Sequence, residues 1–170
     1  MYYCAIDPGA EAGFALIVGL EDVIAYSSVT HKEQIFSTLR RLNPQGVILG
    51  IEGVHAIKNA GAQSSFSFGR NTGYWIGILD FLGFQYEYIP ILAWQLATTR
   101  KPRKPDIKGW TRTRVQKAKQ SHKQALKEES LRAAQHAFPA ARIPSHDVAD
   151  AVNMARYLRM KHQGMYYGTQ

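Results

Sequence analysis

The run Val47-Ile48-Leu49-Gly50-Ile51 is apolar at every position except its glycine, and it ends on Glu52. A strand without polar alternation is one covered on both faces, as in a sheet with helices packed against each side. Tyr2 to Ile6 is a second apolar run, ended by Asp7-Pro8-Gly9. Gly13 to Val18 and Val23 to Val29 follow, split by a turn around Gly19-Leu20-Glu21-Asp22, so the first thirty residues read as three consecutive strands. Thr30-x-x-Glu33 has the form of a capping box, and Ile35, Phe36, Leu39 and Leu42 then share one helical face. Asn43-Pro44 stops that helix before the central strand.

Beyond Glu52, a loop from Gly53 to about Gly61 leads to a helix over roughly Gln63 to Leu82. Gly69, Gly73 and Gly77 recur at four-residue spacing and form one bare stripe on it. Each glycine costs about 1 kcal/mol against alanine in a helix interior. Three in register imply close approach of another backbone, either the sheet or a second subunit. Phe84 to Ile89 reads as a fifth strand, and a short helix follows around Ile91 to Ala97. Pro102, Pro105 and Gly109 break the next stretch, read as a basic loop at about 98–120 that orders on binding. Ser121 is placed to cap a helix to Phe138, and a last helix spans about His146 to Met160. There is no internal repeat and no second-domain boundary, so the expectation is one α/β domain, a five-stranded mixed sheet flanked by helices.

Charge narrows the partners. Residues 100–127 hold eleven basic side chains against Asp106 alone, so this stretch carries +10 while the rest of the chain sums to −2. The residues are Arg100, Lys101, Arg103, Lys104, Lys108, Arg112, Arg114, Lys117, Lys119, Lys123 and Lys127. A focused basic stretch suits a phosphate backbone better than solubility alone requires, although a solvated loop or an arm for RNA or protein has the same composition. The opening residues lack a basic start and long apolar run, and no stretch is long enough to cross a bilayer, which suits an intracellular protein. Cys4, the only cysteine, reads as a core residue.

Four carboxylates fall at informative places. Asp7 and Glu52 each end an apolar strand, at the sheet edge where open α/β sheets place ligands. Asp147 and Asp150 stand three apart at the start of the last helix, on one face. If the two strands are neighbours and the helix packs beside them, four anions converge, which is unfavourable without a cation. An all-oxygen set with room for phosphate suits Mg²⁺, with Mn²⁺ as substitute. Each piece also has a plain structural use. Asp7-Pro8-Gly9 is turn chemistry, Glu52 could cap a loop, and the two late aspartates complement a helix N-terminus. Asp150, however, lies within Val148-Ala149-Asp150-Ala151-Val152, small apolar residues that turn it inward.

Three segments in order resemble the RuvC family of Holliday-junction resolvases, over nearly the whole chain. Ile6-Asp7-Pro8-Gly9-Ala10-Glu11-Ala12-Gly13 resembles its first-strand motif. Ile51-Glu52-Gly53-Val54-His55-Ala56-Ile57-Lys58-Asn59 resembles its second, and the region from Gly69-Arg70 to Gly73 its dimer helix. Asp147-Val148-Ala149-Asp150-Ala151 resembles its final acidic pair. The resemblance implies a ribonuclease H-like fold and a phage or divergent bacterial member working in the cytoplasm of the cell. It implies a homodimeric, structure-selective endonuclease that resolves four-way DNA junctions by paired symmetric nicks, leaving a 5′ phosphate and a 3′ hydroxyl. Asp7, Glu52, Asp147 and Asp150 would hold two Mg²⁺ ions per active site, and Lys123 would stand near the scissile phosphate.

Some members have histidine for the third carboxylate, and His146 directly precedes Asp147, so either could be that ligand; Asp147 is favoured. Where the family often has a stacking aromatic after the glutamate, this chain has His55. DNA contacts are expected from His55, Lys58, Arg70 and the basic residues from Arg100 to Lys119. Three other readings stay open: a ribonuclease H-like nuclease for other branched DNA or RNA/DNA hybrids, a non-catalytic junction binder, and an actin-like ATPase. The last matches Asp7-x-Gly9-x-x-x-Gly13 but needs two such domains.

Overall fold

The structure is a computed structural model, and it describes residues 1–9, 11–53 and 61–165. Five strands form one mixed sheet: β1 (Tyr2–Asp7), β2 (Gly13–Ile17), β3 (Val23–Ser27), β4 (Val47–Glu52) and β5 (Tyr86–Ile89). Their order is β3-β2-β1-β4-β5, with β1, β2 and β3 antiparallel in sequence and β1, β4 and β5 parallel. The helices are α1 (Ser28–Arg41), α2 (Ala62–Phe81), α3 (Ile91–Thr98), α4 (Arg112–Ala137) and α5 (His146–His162).

Side-chain parity divides the core between the two faces of the sheet. Cys4, Ile6, Phe14, Leu16, Leu49 and Ile51 pack with Ile35 and Leu39 of α1 and Trp75 and Leu79 of α2. Tyr3, Ala5, Ala15 and Ile17 pack on the opposite face with Trp94 of α3, Ala134 of α4 and the buried residues of α5. Cys4 is fully buried, as expected of a core thiol, and burial pushes its pKa up. The helix α5 is buried on nearly every side, because it lies between the sheet and both α3 and α4.

Two glycines allow this close packing. A Cβ on Gly13 would overlap the Asp147 carbonyl, and one on Gly50 would overlap Ile89. For Gly69, Gly73 and Gly77 the sequence left the sheet and a second subunit as alternatives, and the sheet is now excluded. Among the described residues a Cβ at any of these positions would meet nothing within 4 Å, whereas Thr72, Trp75 and Leu79 form the buried side of α2.

Several boundaries differ from expectation. The third strand ends at Ser27 rather than Val29, and Ser27, not Thr30, caps α1 by accepting from the Val29 N–H. Thr30 instead bonds His31 Nδ1 at 2.6 Å, where the helix is kinked (φ −139°, ψ 33°). Phe84 lies in the core just before β5 rather than within it. The basic segment is a loop only as far as Thr111, whose side chain accepts from Arg114 N–H and starts α4. After Gly109 no further breaker intervenes, and Arg, Gln, Lys and Ala are good helix formers. Ser121 is therefore an interior helical residue rather than a cap.

Candidate active site

The register of two parallel strands brings the first two acids together. Ile6 pairs with Ile51, so Asp7 and Glu52 are the next residues at the carboxyl ends of adjacent strands. Parity then decides the face. Asp7 follows Tyr3 and Ala5, and Glu52 follows Ile48 and Gly50, so both carboxylates project toward α5. Ser145 caps α5 by accepting from Val148 N–H, and the first turns of that helix carry Asp147 and Asp150 to the same edge.

The electrostatics report this convergence. Burial, then Glu52, Asp150 and Asp147 in turn, hold the pKa of Asp7 well above the carboxylate range. Burial, then Asp150 and Asp147, push Glu52 up to about 7. Asp150 is raised to about 6, by burial and then Asp147. Asp147 is raised mainly by burial, an effect that Lys127 and His146 oppose.

Donors hold one oxygen on each of three acids. Gly9 N–H donates to Asp7 Oδ1 at 3.1 Å, the Trp94 indole donates to Glu52 Oε1 at 3.4 Å, and the Ser130 hydroxyl donates to Asp150 Oδ1. Among the described residues no donor reaches the second oxygen of these three groups. The turn behind Asp7 is itself latched, because Asn71 of α2 donates to the Gly9 carbonyl at 3.2 Å.

Among the described residues no three His, Cys, Asp or Glu side chains stand close enough together to hold a metal ion. The rise that Glu52, Asp150 and Asp147 cause at Asp7 nevertheless puts the acids within electrostatic reach of one another. The two observations are compatible, since charges interact over longer distances than ligand bonds span. As a donor set, four oxygen-bearing acids with raised pKa values and open oxygens fit a hard divalent cation such as Mg²⁺.

A cleft containing Asp150 is walled by Trp94, Ser130, Lys123 and Lys127. Lys123 is thus beside Asp150, while His146 and Lys127 both lower the pKa of Asp147 and of Asp150. Sequence reasoning placed Lys127 only in the basic stretch and did not single out Trp94, Ser130 or Asn71. The spacing of Lys123, Lys127 and Ser130 by four and then three residues is the signal for one helical face. Nothing local marks Trp94 or Asn71. His146 donates from Nδ1 to the Lys127 carbonyl at 3.1 Å, which ties the start of α5 to α4 and leaves Nε2 as its open nitrogen.

Arg70 lines a separate cleft with Gly9, Lys32, Asn71 and Tyr74, on the α2 side of the acids. His55 and Lys58 lie outside the described residues. Arg100, Lys101, Arg103, Lys104 and Lys108 are exposed in the loop before α4. Arg112, Arg114, Lys117 and Lys119 are exposed on its first turns, where Arg114 stacks over Trp110 at 4.0 Å. No described helix is long and apolar enough to cross a membrane.

No family model and no curated protein matches the chain in sequence. Solved structures do match in fold. Thermus thermophilus RuvC in complex with a Holliday-junction substrate superposes with a TM-score of 0.60 at 12% identity, over 97% of this chain and 96% of that one. A second Thermus thermophilus RuvC structure gives a TM-score of 0.53 at 16% identity, over 96% and 97%. The chain therefore has the ribonuclease H-like fold of the RuvC resolvase structures, as its three motifs led one to expect.

Proposed function

We propose that this protein is a Mg²⁺-dependent, structure-selective endonuclease that resolves four-way DNA junctions by hydrolysis. The observation that carries the reading is the gathering of Asp7, Glu52, Asp147 and Asp150 at one sheet edge, where the other three together raise the pKa of Asp7. A protein that only binds anionic DNA gains nothing from four converging carboxylates. Asp7, Glu52, Asp147 and Asp150 would hold the Mg²⁺, which supplies Lewis-acid activation of the phosphodiester and of water.

The chain's own groups do the rest. The Gly9 N–H, the Trp94 indole and the Ser130 hydroxyl fix the rotamers of three acids, so little reorganisation accompanies substrate binding. Lys123 and Lys127, which line the cleft with Asp150, hold the phosphate and offset charge that grows on its oxygens. Water oxygen adds to phosphorus as the bond to the 3′ oxygen breaks, which leaves a 5′ phosphate and a 3′ hydroxyl. The exposed cations from Arg100 to Lys119 grip the flanking backbone, with Arg70 on the α2 side of the acids; His55 and Lys58 are proposed as further DNA contacts.

A symmetric junction calls for two sites in one C₂ assembly. The stripe of Gly69, Gly73 and Gly77 meets nothing within the described chain, and Phe66 and Phe81 are exposed near its ends. That flat, apolar face supports a homodimer through α2. The deciding experiment is cleavage of an immobile four-way junction in Mg²⁺, beside linear duplex and RNA/DNA hybrid of matching sequence. Paired nicks in the junction alone are expected. Equal cutting of hybrid would reassign the substrate, and no cutting of any of them would remove the nuclease reading.

A further inference from the structure

A second polar cleft, of about 380 Å³, lies between the end of α3, the middle of α4 and the second half of α5. Its wall carries Arg100, Arg132, His136 and Arg156, with Glu129 as the one acid. Arg156 is the informative residue. Its Nη1 donates to the Asn153 side chain at 2.8 Å, to the Ala133 carbonyl at 3.2 Å and to the Thr98 carbonyl at 3.5 Å. The guanidinium is thereby pinned to three helices through a single nitrogen.

Among the described residues no carboxylate pairs with Arg156, and Nε and Nη2 have no hydrogen-bond acceptor. Among those residues no buried side-chain nitrogen lacks a partner, so these two donors reach solvent. Burial, with Arg159 nearby, lowers the pKa of this cation, as expected when no counter-ion offsets the loss of water. A half-buried guanidinium with adjacent free donors matches two oxygens of one phosphate. Glu129 is already engaged, by Arg132 and by the Arg100 backbone N–H, so it does not neutralise Arg156.

The cleft is joined to the acidic edge by a one-way chain of donors. Arg156 donates to Asn153 Oδ1, Asn153 Nδ2 donates to Ser130 Oγ at 3.0 Å, and Ser130 donates to Asp150 Oδ1. Thr99 borders both this cleft and the one that holds Asp150. Asp150 and Arg156 are separated along α5 by about 9 Å, at roughly 1.5 Å per residue.

We infer that this cleft is a phosphate-binding subsite, with Arg156 as the bidentate donor and Arg132 and Arg100 at its rim. The phosphate is either a backbone phosphodiester of the strand that passes the four acids or a free phosphate. The backbone source rests on the nuclease reading given above; the subsite itself does not.

The test uses the full chain without divalent metal, so neither arm reads cleavage. In the first arm, melting temperature is followed against inorganic phosphate, with sodium chloride at matched ionic strength as reference. A saturable rise is expected for the parent and for the charge control Arg41→Ala. It should shrink in Arg132→Ala and vanish in Arg156→Gln. Arg132 is largely exposed, so its variant keeps the test valid should Arg156→Gln fail to fold. In the second arm, four-way junction affinity is measured across salt concentrations. A slope lowered by about one in Arg132→Ala or Arg156→Gln, and unchanged in Arg41→Ala, identifies the backbone as the source. A phosphate response with an unchanged slope identifies free phosphate. A parent that distinguishes phosphate from chloride no better than its variants, together with an unaltered slope, overturns the subsite.

Discussion

Asp7 is 7% exposed and has three other acids acting on it, so its charge is among the most costly in the molecule. The folded protein therefore binds protons more readily than the unfolded chain at Asp7, Glu52 and Asp150. For a raised carboxyl pKa, stability is fully present below the unfolded value and falls as pH rises through the folded one. Without metal, stability should thus decline from about pH 4 to about pH 7, where Glu52 ionises, with Asp7 extending the loss upward. The decline belongs to the acids as a coupled set rather than to one of them. Urea titrations in EDTA across this range would reveal it, and a flat profile would mean that the acids do not interact. Asp7→Asn removes a charge yet keeps an acceptor for the Gly9 N–H. It should raise the melting temperature by several degrees at pH 8 while abolishing junction cutting and leaving junction binding intact. At this scale Asp7, Glu52, Asp147 and Asp150 were legible from strand ends and helical spacing. Trp94 and Asn71 were not, because each meets its partner across a long loop of chain, 42 and 62 residues away.

At the scale of elements, α5 owes its position to the absence of a side chain on Gly13. Gly13→Ala should displace the first turn of α5 and cost about 3 kcal/mol, as overpacking against backbone does. Chemical denaturation would measure the loss, and an unchanged midpoint would show that the helix start is free to move. The basic half of α4 extends the helix by about three turns beyond the cap first expected at Ser121. Replacing Arg112, Arg114, Lys117 and Lys119 with alanine preserves helix propensity and removes four charges. The slope of junction affinity against salt should fall by about one for each phosphate that is no longer neutralised. On α2, Gly73→Arg places a long cation on the bare stripe. If the proposed dimer forms through α2, light scattering is expected to find a dimer for the parent and a monomer for the variant; a variant that stays dimeric would shift the interface elsewhere. Why the boundaries of α1 and α4 escaped the sequence is a matter of competition. Ser27 and Thr30 both suit an N-cap, as do Thr111 and Ser121, and local preference between such residues is smaller than the packing that selects one.

For the whole molecule, ligand and fold are linked, because whatever binds only the native state stabilises it by mass action. Mg²⁺ added at pH 8 should raise the melting temperature of the parent, and do so far less in Asp7→Asn; scanning fluorimetry with Mg²⁺ and EDTA tests this. The sequence by itself determined that a doubly covered central strand exists, that two strands end in acids, and that positive charge is concentrated between residues 100 and 127. Those are properties of neighbours in the chain, set by alternation and composition. Tertiary structure alone decided that β1 and β4 are adjacent and in register, so that Asp7 and Glu52 share an edge and a face. It alone turned the glycines of α2 away from the sheet and joined Arg156 to Asp150 through Asn153 and Ser130. Arrangements of that kind depend on which surfaces bury most apolar area together, a sum over the entire chain that no local window contains.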